Sequence, residues 1–131
     1  MSEHTEKFIA MVKGRKRIAV VGSRNFYDYA LFREKISKII ANLPDICFVS
    51  GGCATGADNL IEMYAHDFGF PMLIFYPDYR KYDRRAPLER NKLIVENSEM
   101  LIAFWDGVSK GTAHTLNLAE AKGIPIRIIK I

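Results

Sequence analysis

Residues 46–61 read Ile46-Cys-Phe-Val-Ser50, then Gly51-Gly-Cys-Ala-Thr-Gly56, then Ala57-Asp-Asn-Leu-Ile61. The first run is apolar from Ile46 to Val49 without alternation, which is how a strand buried on both faces reads. The second is rich in glycine and hydroxyls. From Thr55 to Phe68 the apolar residues Leu60, Ile61, Tyr64, Ala65 and Phe68 recur at helical spacing. A buried strand therefore passes through a glycine-rich turn into a helix.

The same order repeats outward in both directions. Four more short apolar runs read as strands: Arg17 to Gly22, Met72 to Pro77, Met100 to Asp106 and Ile124 to Ile131. Helical spacing marks Tyr29 to Leu43, Ala86 to Ser98 and Gly111 to Lys122. Gly69 and Gly123 each follow a helix, with Pro71 and Pro125 two residues on, as helix stops do. Five strands alternating with helices require an α/β fold: a doubly wound parallel sheet with helices on both faces. Right-handed crossovers leave few topologies, and the expected strand order is 3-2-1-4-5. Residues 1–16 read as an N-terminal leader, with a short helix over 8–12 and a basic run at Lys13-Gly-Arg-Lys-Arg17. Residues 17–131 read as one Rossmann-like domain. The stretch Pro77 to Arg85 is the longest connection without a clear period, and long charged loops in compact domains are usually functional or mobile.

Composition narrows the function classes. No run approaches the roughly 18 apolar residues of a membrane helix, and the N-terminus lacks a signal-peptide core, so a cytoplasmic protein with no membrane partner is expected. Cys47 and Cys53 are the only cysteines. They read as reduced thiols, and with no metal-ligand spacing around the histidines no metal site is expected. A net charge of +4 is mild for a duplex-DNA binder but favours anionic ligands.

Ligands of open α/β sheets bind beyond the carboxyl ends of the strands, where strand order reverses. Three clusters fall on that edge. Gly22-Ser-Arg-Asn25 follows the first strand, Gly51 to Asp58 the second, and Asp106-Gly-Val-Ser-Lys-Gly-Thr112 the fourth. Glycines let backbone amides approach a phosphate, helix starts aim free N–H groups at it, and Ser23, Ser109 and Thr112 add hydroxyl donors. Arg24 could fork onto a phosphate or carboxylate. Each cluster also has a structural reading. Gly22 could only turn a corner; Gly51, Gly52 and Gly56 could serve helix packing; Thr55 or Ser109 could cap a helix. Arg90 and Asn91 could be a solvated helix face, and Trp105 could stack on a base or seal the core. Asp58 could complement a helix dipole or accept from a ribose hydroxyl. The pattern is neither GxxxxGK[ST] nor strict GxGxxG, which disfavours a Walker-type NTPase and a standard dinucleotide dehydrogenase.

Five stretches together resemble the YspA-like branch of the SLOG superfamily. They are Val21-Gly-Ser-Arg-Asn-Phe26, Ser50-Gly-Gly-Cys-Ala-Thr-Gly-Ala-Asp58, Tyr76-Pro-Asp78, Arg90-Asn91 and Phe104-Trp-Asp-Gly-Val-Ser-Lys-Gly-Thr112. The superfamily includes the lonely-guy phosphoribohydrolases and DNA-processing protein A. The resemblance implies a nucleotide or nucleotide-derived ligand of the NAD, ADP-ribose or nucleoside monophosphate class. It also implies a homo-oligomer. On it, Gly22, Ser23 and Arg24, with Asn25 beside them, line the floor of the site. Gly51, Gly52 and Gly56 form a wall, Gly107, Ser109, Gly111 and Thr112 hold phosphate, and Arg90 with Asn91 close over it.

Three functions follow as alternatives. The first is nucleotide binding or sensing, with no catalytic residue assigned. The second is hydrolysis of an N-glycosidic bond, as in the lonely-guy branch. There the pattern PGGxGTxxE places a glutamate three residues after the threonine. Here that position is Thr115, so half the catalytic pair is missing, with Asp58 and Glu120 as possible substitutes, and the doubled glycine of the pattern is missing too. The third is single-stranded nucleic-acid binding, which Tyr79 and Tyr82 interleaved with Arg80, Lys81, Arg84 and Arg85 would suit.

Overall fold

The computed structural model describes residues 13–131. The expected helix over 8–12 lies outside the described residues. Five strands, β1 (Lys16–Gly22), β2 (Ile46–Ser50), β3 (Met72–Ile74), β4 (Met100–Trp105) and β5 (Ile126–Lys130), form one parallel sheet. Its order is β3-β2-β1-β4-β5, as the strand–helix alternation requires. The helices are α1 (Tyr29–Ile40), α2 (Gly56–Phe68), α3 (Tyr79–Tyr82), α4 (Ala86–Glu96) and α5 (Lys110–Lys122).

The period of two along each strand divides the core into two layers. Ile18 and Val20 of β1, Phe48 of β2 and Ile102 and Phe104 of β4 face α1 and α2, where they meet Phe32, Ile36, Leu60, Ile61 and Tyr64. Ala19, Val21, Val49, Leu101 and Ala103 face the other way, onto Ile94 and Val95 of α4 and Leu116 and Ala119 of α5. Both faces of the central strands are covered, which explains why their sequence shows no polar alternation.

The helices start and stop for local reasons. Asp28 caps α1, its Oδ1 accepting the Leu31 N–H at 3.0 Å. Gly69 and Gly123 end α2 and α5 in the left-handed conformation. α1 ends at Ile40 rather than Leu43, because Pro44 disfavours helical geometry in the residue before it. β3 is shorter than its apolar run: the strand ends at Ile74, the Phe75 N–H makes a last bond to the Ser50 carbonyl at 2.9 Å, and Tyr76 lies over Gly52.

The connection from 77 to 85 is not irregular. Asp78 Oδ1 accepts the Lys81 N–H at 3.2 Å and caps the single turn of α3, and a 3₁₀ turn over Asp83–Arg85 leads directly into α4. Neither turn buries a side chain, so neither leaves a periodic apolar signal in the sequence. Among the described residues no helix is long and apolar enough to cross a membrane.

Candidate functional site

The order of the sheet reverses between β1, which runs on to β2, and β4. Above this point, at the carboxyl ends of the strands, a cleft of about 350 Å³ opens. Its size lies at the lower end of the range for small-molecule sites, roughly 300–1,000 Å³. The turn after β1 forms its floor, the β2–α2 turn one wall, α4 the opposite wall and the first turn of α5 its end.

The floor is packed from below. Gly22 has no room for a side chain, because a Cβ there would strike the Phe104 carbonyl and the Ala57 side chain. Gly56 holds a positive φ of 70° and sits against the Ser23 carbonyl, so only glycine starts α2 this close to β1. The Ala57 N–H then donates to the same Ser23 carbonyl at 3.3 Å. These glycines fix the two turns against each other.

Above the floor the wall is polar and charged. The Cys53 N–H donates to Asp58 Oδ2 at 3.0 Å, placing that carboxylate on the cleft. Burial pushes the Asp58 carboxyl up from its ordinary range, against the lowering pull of the Cys53 N–H, Arg90 and Arg24. From α4, Arg90 reaches across and donates through Nη1 to the Gly51 carbonyl. A Cβ at residue 51 would lie 2.7 Å from that nitrogen and 3.1 Å from Asp58 Oδ2, so the space Gly51 leaves open is filled by Arg90 and Asp58. Burial lowers the tendency of Arg90 to hold its proton, and Asp58 opposes it. Arg90 Nε donates to Asn91 Oδ1 at 3.0 Å, and Asn91 Nδ2 lies 3.1 Å from His114 Nδ1 on α5. Arg24 is exposed at the floor, and no ion pair among the described residues engages it.

The end of the cleft is held by Asp106. Its Oδ1 accepts the Val108 and Ser109 N–H groups at 2.9 and 2.8 Å, and its Oδ2 accepts the Ser109 hydroxyl at 2.8 Å. These bonds, the Val108 and Ser109 N–H groups first, depress the Asp106 carboxyl to about 2. Ser109 Oγ is 3.1 Å from Ser23 Oγ, which ties the first and fourth loops together. With its proton given to Asp106, the Ser109 hydroxyl accepts from Ser23. The first-turn N–H groups of Lys110, Gly111 and Thr112 then have no partner within the helix and border the cleft. Three cations, Arg24, Arg90 and Lys110, face one carboxylate, Asp58, across the cavity.

A model of the YspA, cpYpsA-related SLOG family matches residues 16–82. The chain belongs to this family. It is 25% identical over 117 residues to the gene 61 protein of Mycobacterium phage D29, covering 85% of this chain and 94% of that protein. The fold is similar to that of DNA processing protein A from Streptococcus pneumoniae, with a TM-score of 0.70 at 22% identity. That likeness spans 89% of this chain but only 51% of the other.

Within this SLOG cleft most of the expected residues converge. Gly22, Ser23, Arg24, Asn25, Gly51, Asp58, Arg90, Asn91, Ser109, Gly111 and Thr112 all line it. Gly52, Gly56 and Gly107 do not. Gly52 (φ 71°) lies under the Tyr76 ring, Gly56 packs on the Ser23 backbone, and Gly107 (φ 86°) turns the loop into α5 away from the cavity. Arg90 and Asn91 are not a solvated face: Asn91 is 6% exposed. Trp105 stays outside the cleft, its indole N–H donating to the Ser109 carbonyl at 3.1 Å and its ring against the second core layer. Thr55 and Ser109 occupy N-cap positions but make no side-chain cap bond. Pro87, Leu88 and Ile94 supply an apolar strip of the wall that the sequence did not single out. Their spacing on α4 was visible, but which face would cover the cleft depended on the packing of α4 against α5. Among the described residues no group of three or more His, Cys, Asp or Glu side chains could hold a metal ion.

Proposed function

We propose that the cleft binds a nucleotide or nucleotide-derived anion, its phosphate end at the first turn of α5 and its sugar against Asp58 and Arg90. Membership of a SLOG family supports a nucleotide- or nucleic-acid-related role in general. The observation that carries the finer reading is Gly111. Every other glycine in the chain either holds a positive φ or has a neighbour where its Cβ would be. Gly111 has neither, yet it sits in the first turn of a helix, where glycine is a poorer helix former than alanine. The fold does not require it; a ligand pressed against the helix N-terminus would. Free N–H groups, the positive end of the helix dipole and the surplus of cations all favour an anion there.

Asp58, turned toward the cavity beside Arg90, suits a ribose hydroxyl. Of NAD, ADP-ribose and nucleoside monophosphates, the last is the smallest and suits a cleft of about 350 Å³, at the lower end of the range for small-molecule sites. The test is native mass spectrometry of freshly purified protein, followed by a thermal-shift screen of these three classes. A ligand that binds only the folded chain raises its melting temperature. The expected result is a shift with one class that Arg24→Ala abolishes without unfolding the protein. A shift unchanged in Arg24→Ala would sink the assigned floor, and no shift with any nucleotide would sink the reading.

A second reading, single-stranded nucleic-acid binding, draws on one feature. Exposed Tyr76 packs over Gly52 and exposed Tyr79 lies near enough to Arg90 to act on its charge, followed by exposed Arg80, Lys81, Arg84 and Arg85. Bases stack on aromatics and backbones track cations in such grooves. Asp78 and Asp83 interrupt the strip. Oligonucleotide binding that collapses as salt rises would favour this reading over a mononucleotide site.

N-glycosidic hydrolysis finds less support. Thr115 borders the cleft where the lonely-guy glutamate would stand, and its hydroxyl is turned back to the Gly111 carbonyl at 3.1 Å. Glu120 is exposed further along α5 and does not border the cavity. Asp58 is the one carboxylate lining it.

A further inference from the structure

We infer that Asn91 and His114 are positioning residues that fix the orientation of Arg90, through a hydrogen-bond chain whose direction allows one histidine tautomer. The inference rests on the reading of the cleft as an anion site only for its consequence; the chain of bonds stands by itself.

A guanidinium carries donors and no acceptor. Arg90 Nε can therefore bond Asn91 only through the amide oxygen, as it does at 3.0 Å. That leaves the Asn91 amide nitrogen, a donor, facing His114 Nδ1 at 3.1 Å. The imidazole must accept there, so Nδ1 is bare and the ring proton sits on Nε2. Turning the Asn91 amide over would set nitrogen against the Arg90 donor. Asn91 is buried, so water does not readily replace a lost bond.

The consequence is geometric. Arg90 uses Nη1 on Gly51 and Nε on Asn91, which fixes the plane of a guanidinium that lines the cleft and leaves its other N–H groups for a ligand. His114 lies on α5, one turn after Gly111, so the same chain links the arginine wall to the helix end that borders the phosphate position. Neither Asn91 nor His114 needs to touch the ligand through these atoms; they act through Arg90.

The test uses the full chain and two variants, His114→Gln, which keeps an acceptor, and His114→Leu, which does not. Long-range ¹H–¹⁵N NMR should show the His114 resonance, identified by its loss in His114→Gln, as the Nε2–H tautomer. The Arg90 Nε–H should be protected from exchange in the parent and in His114→Gln, and should lose that protection in His114→Leu. Adenosine monophosphate, the probe ligand, should bind His114→Leu about tenfold more weakly and His114→Gln nearly as the parent does. An Nδ1–H tautomer, or an Arg90 Nε–H equally protected in a folded His114→Leu chain, overturns the inference. If the NMR results hold but neither adenosine monophosphate nor inorganic phosphate binds the parent, the positioning stands and the anion-site reading falls.

Discussion

Arg90, on α4, donates an N–H to the backbone carbonyl of Gly51, in the turn after β2. The bond spans the cleft from wall to wall and depends on residue 51 having no side chain. A Cβ there would meet Nη1 at 2.7 Å, Cζ at 3.0 Å and Asp58 Oδ2 at 3.1 Å. Gly51→Ala should therefore push Arg90 off its carbonyl and disturb Asp58. The expected cost is about 1–3 kcal/mol in urea denaturation, typical of overpacking. Nucleotide affinity, measured by calorimetry at a temperature where the variant is folded, should fall as well. Unchanged stability and affinity would mean that the contact orders nothing.

Gly111 offers the opposite case. Its Cβ position is open, so Gly111→Ala should stabilise the fold, by up to about 1 kcal/mol, through the lower entropy of the unfolded chain. Gly111→Val places a branched side chain beside the free N–H groups of the first turn and should abolish nucleotide binding in a folded protein. A Val variant that binds as the parent does would remove Gly111 from the site and with it the main support for the proposed function.

The fold was legible because its local signals agree. Ile46 to Val49 and Met100 to Trp105 read as buried strands since both faces of each are covered, and Gly69 and Gly123 mark helix ends that the backbone then adopts. Much of the cleft was legible too, because strand ends and helix starts of a parallel sheet fall on one edge. What the sequence hid depended on long-range geometry. Gly52 and Gly56 look like phosphate-loop glycines, but what lies over each is set by Tyr76 and Ser23, which are distant in the chain. The bonds from Asn91 to Arg90 and His114 depend on the packing of α4 against α5. α3 has no buried face, so nothing periodic announced it.

The loop that opens α5 should respond to acid. The Val108 and Ser109 N–H groups, with the Ser109 hydroxyl, hold Asp106 down to about 2, below the ordinary aspartate value of about 3.9. A depressed carboxyl contributes stability that is complete above its ordinary value and is lost as pH falls through its folded value. The Val108 and Ser109 amide resonances should therefore shift together as pH drops from about 4 to about 2. Asp106→Asn should remove that transition. Amides that titrate near 3.9, or not at all, would show that these bonds do not favour the ionised form.

Lys122 should matter more than its exposed position suggests. Its Nζ donates to the carbonyls of Val95, Glu96 and Ser98 at 2.9, 3.0 and 3.0 Å, closing the C-terminal end of α4 from α5. Charge-assisted bonds to carbonyls at and just beyond a helix end are among the stronger ones, here weakened by solvent and, at Val95, shared with the Ser98 N–H. Lys122→Met should cost about 1–2 kcal/mol by urea denaturation and raise amide exchange over the last turn of α4. A loss indistinguishable from zero would mean that water serves those carbonyls equally well.

Thr115→Glu tests whether one missing carboxylate separates this cleft from a hydrolase. Position 115 borders the cavity and is buried, and its hydroxyl now satisfies the Gly111 carbonyl. A glutamate there gains a place near a bound sugar but loses that bond and brings a second carboxylate toward Asp58. Departure of a base from ribose needs an anion held close to the developing positive charge, together with a ligand fixed in register. Val108 and Ser109, standing where the lonely-guy pattern has its two glycines, also change the loop into the helix start that would fix it. Chromatographic assay of nucleoside monophosphates should therefore detect no strong base release from a folded Thr115→Glu variant. A large gain over the parent would show that the rest of the hydrolytic machinery is already assembled.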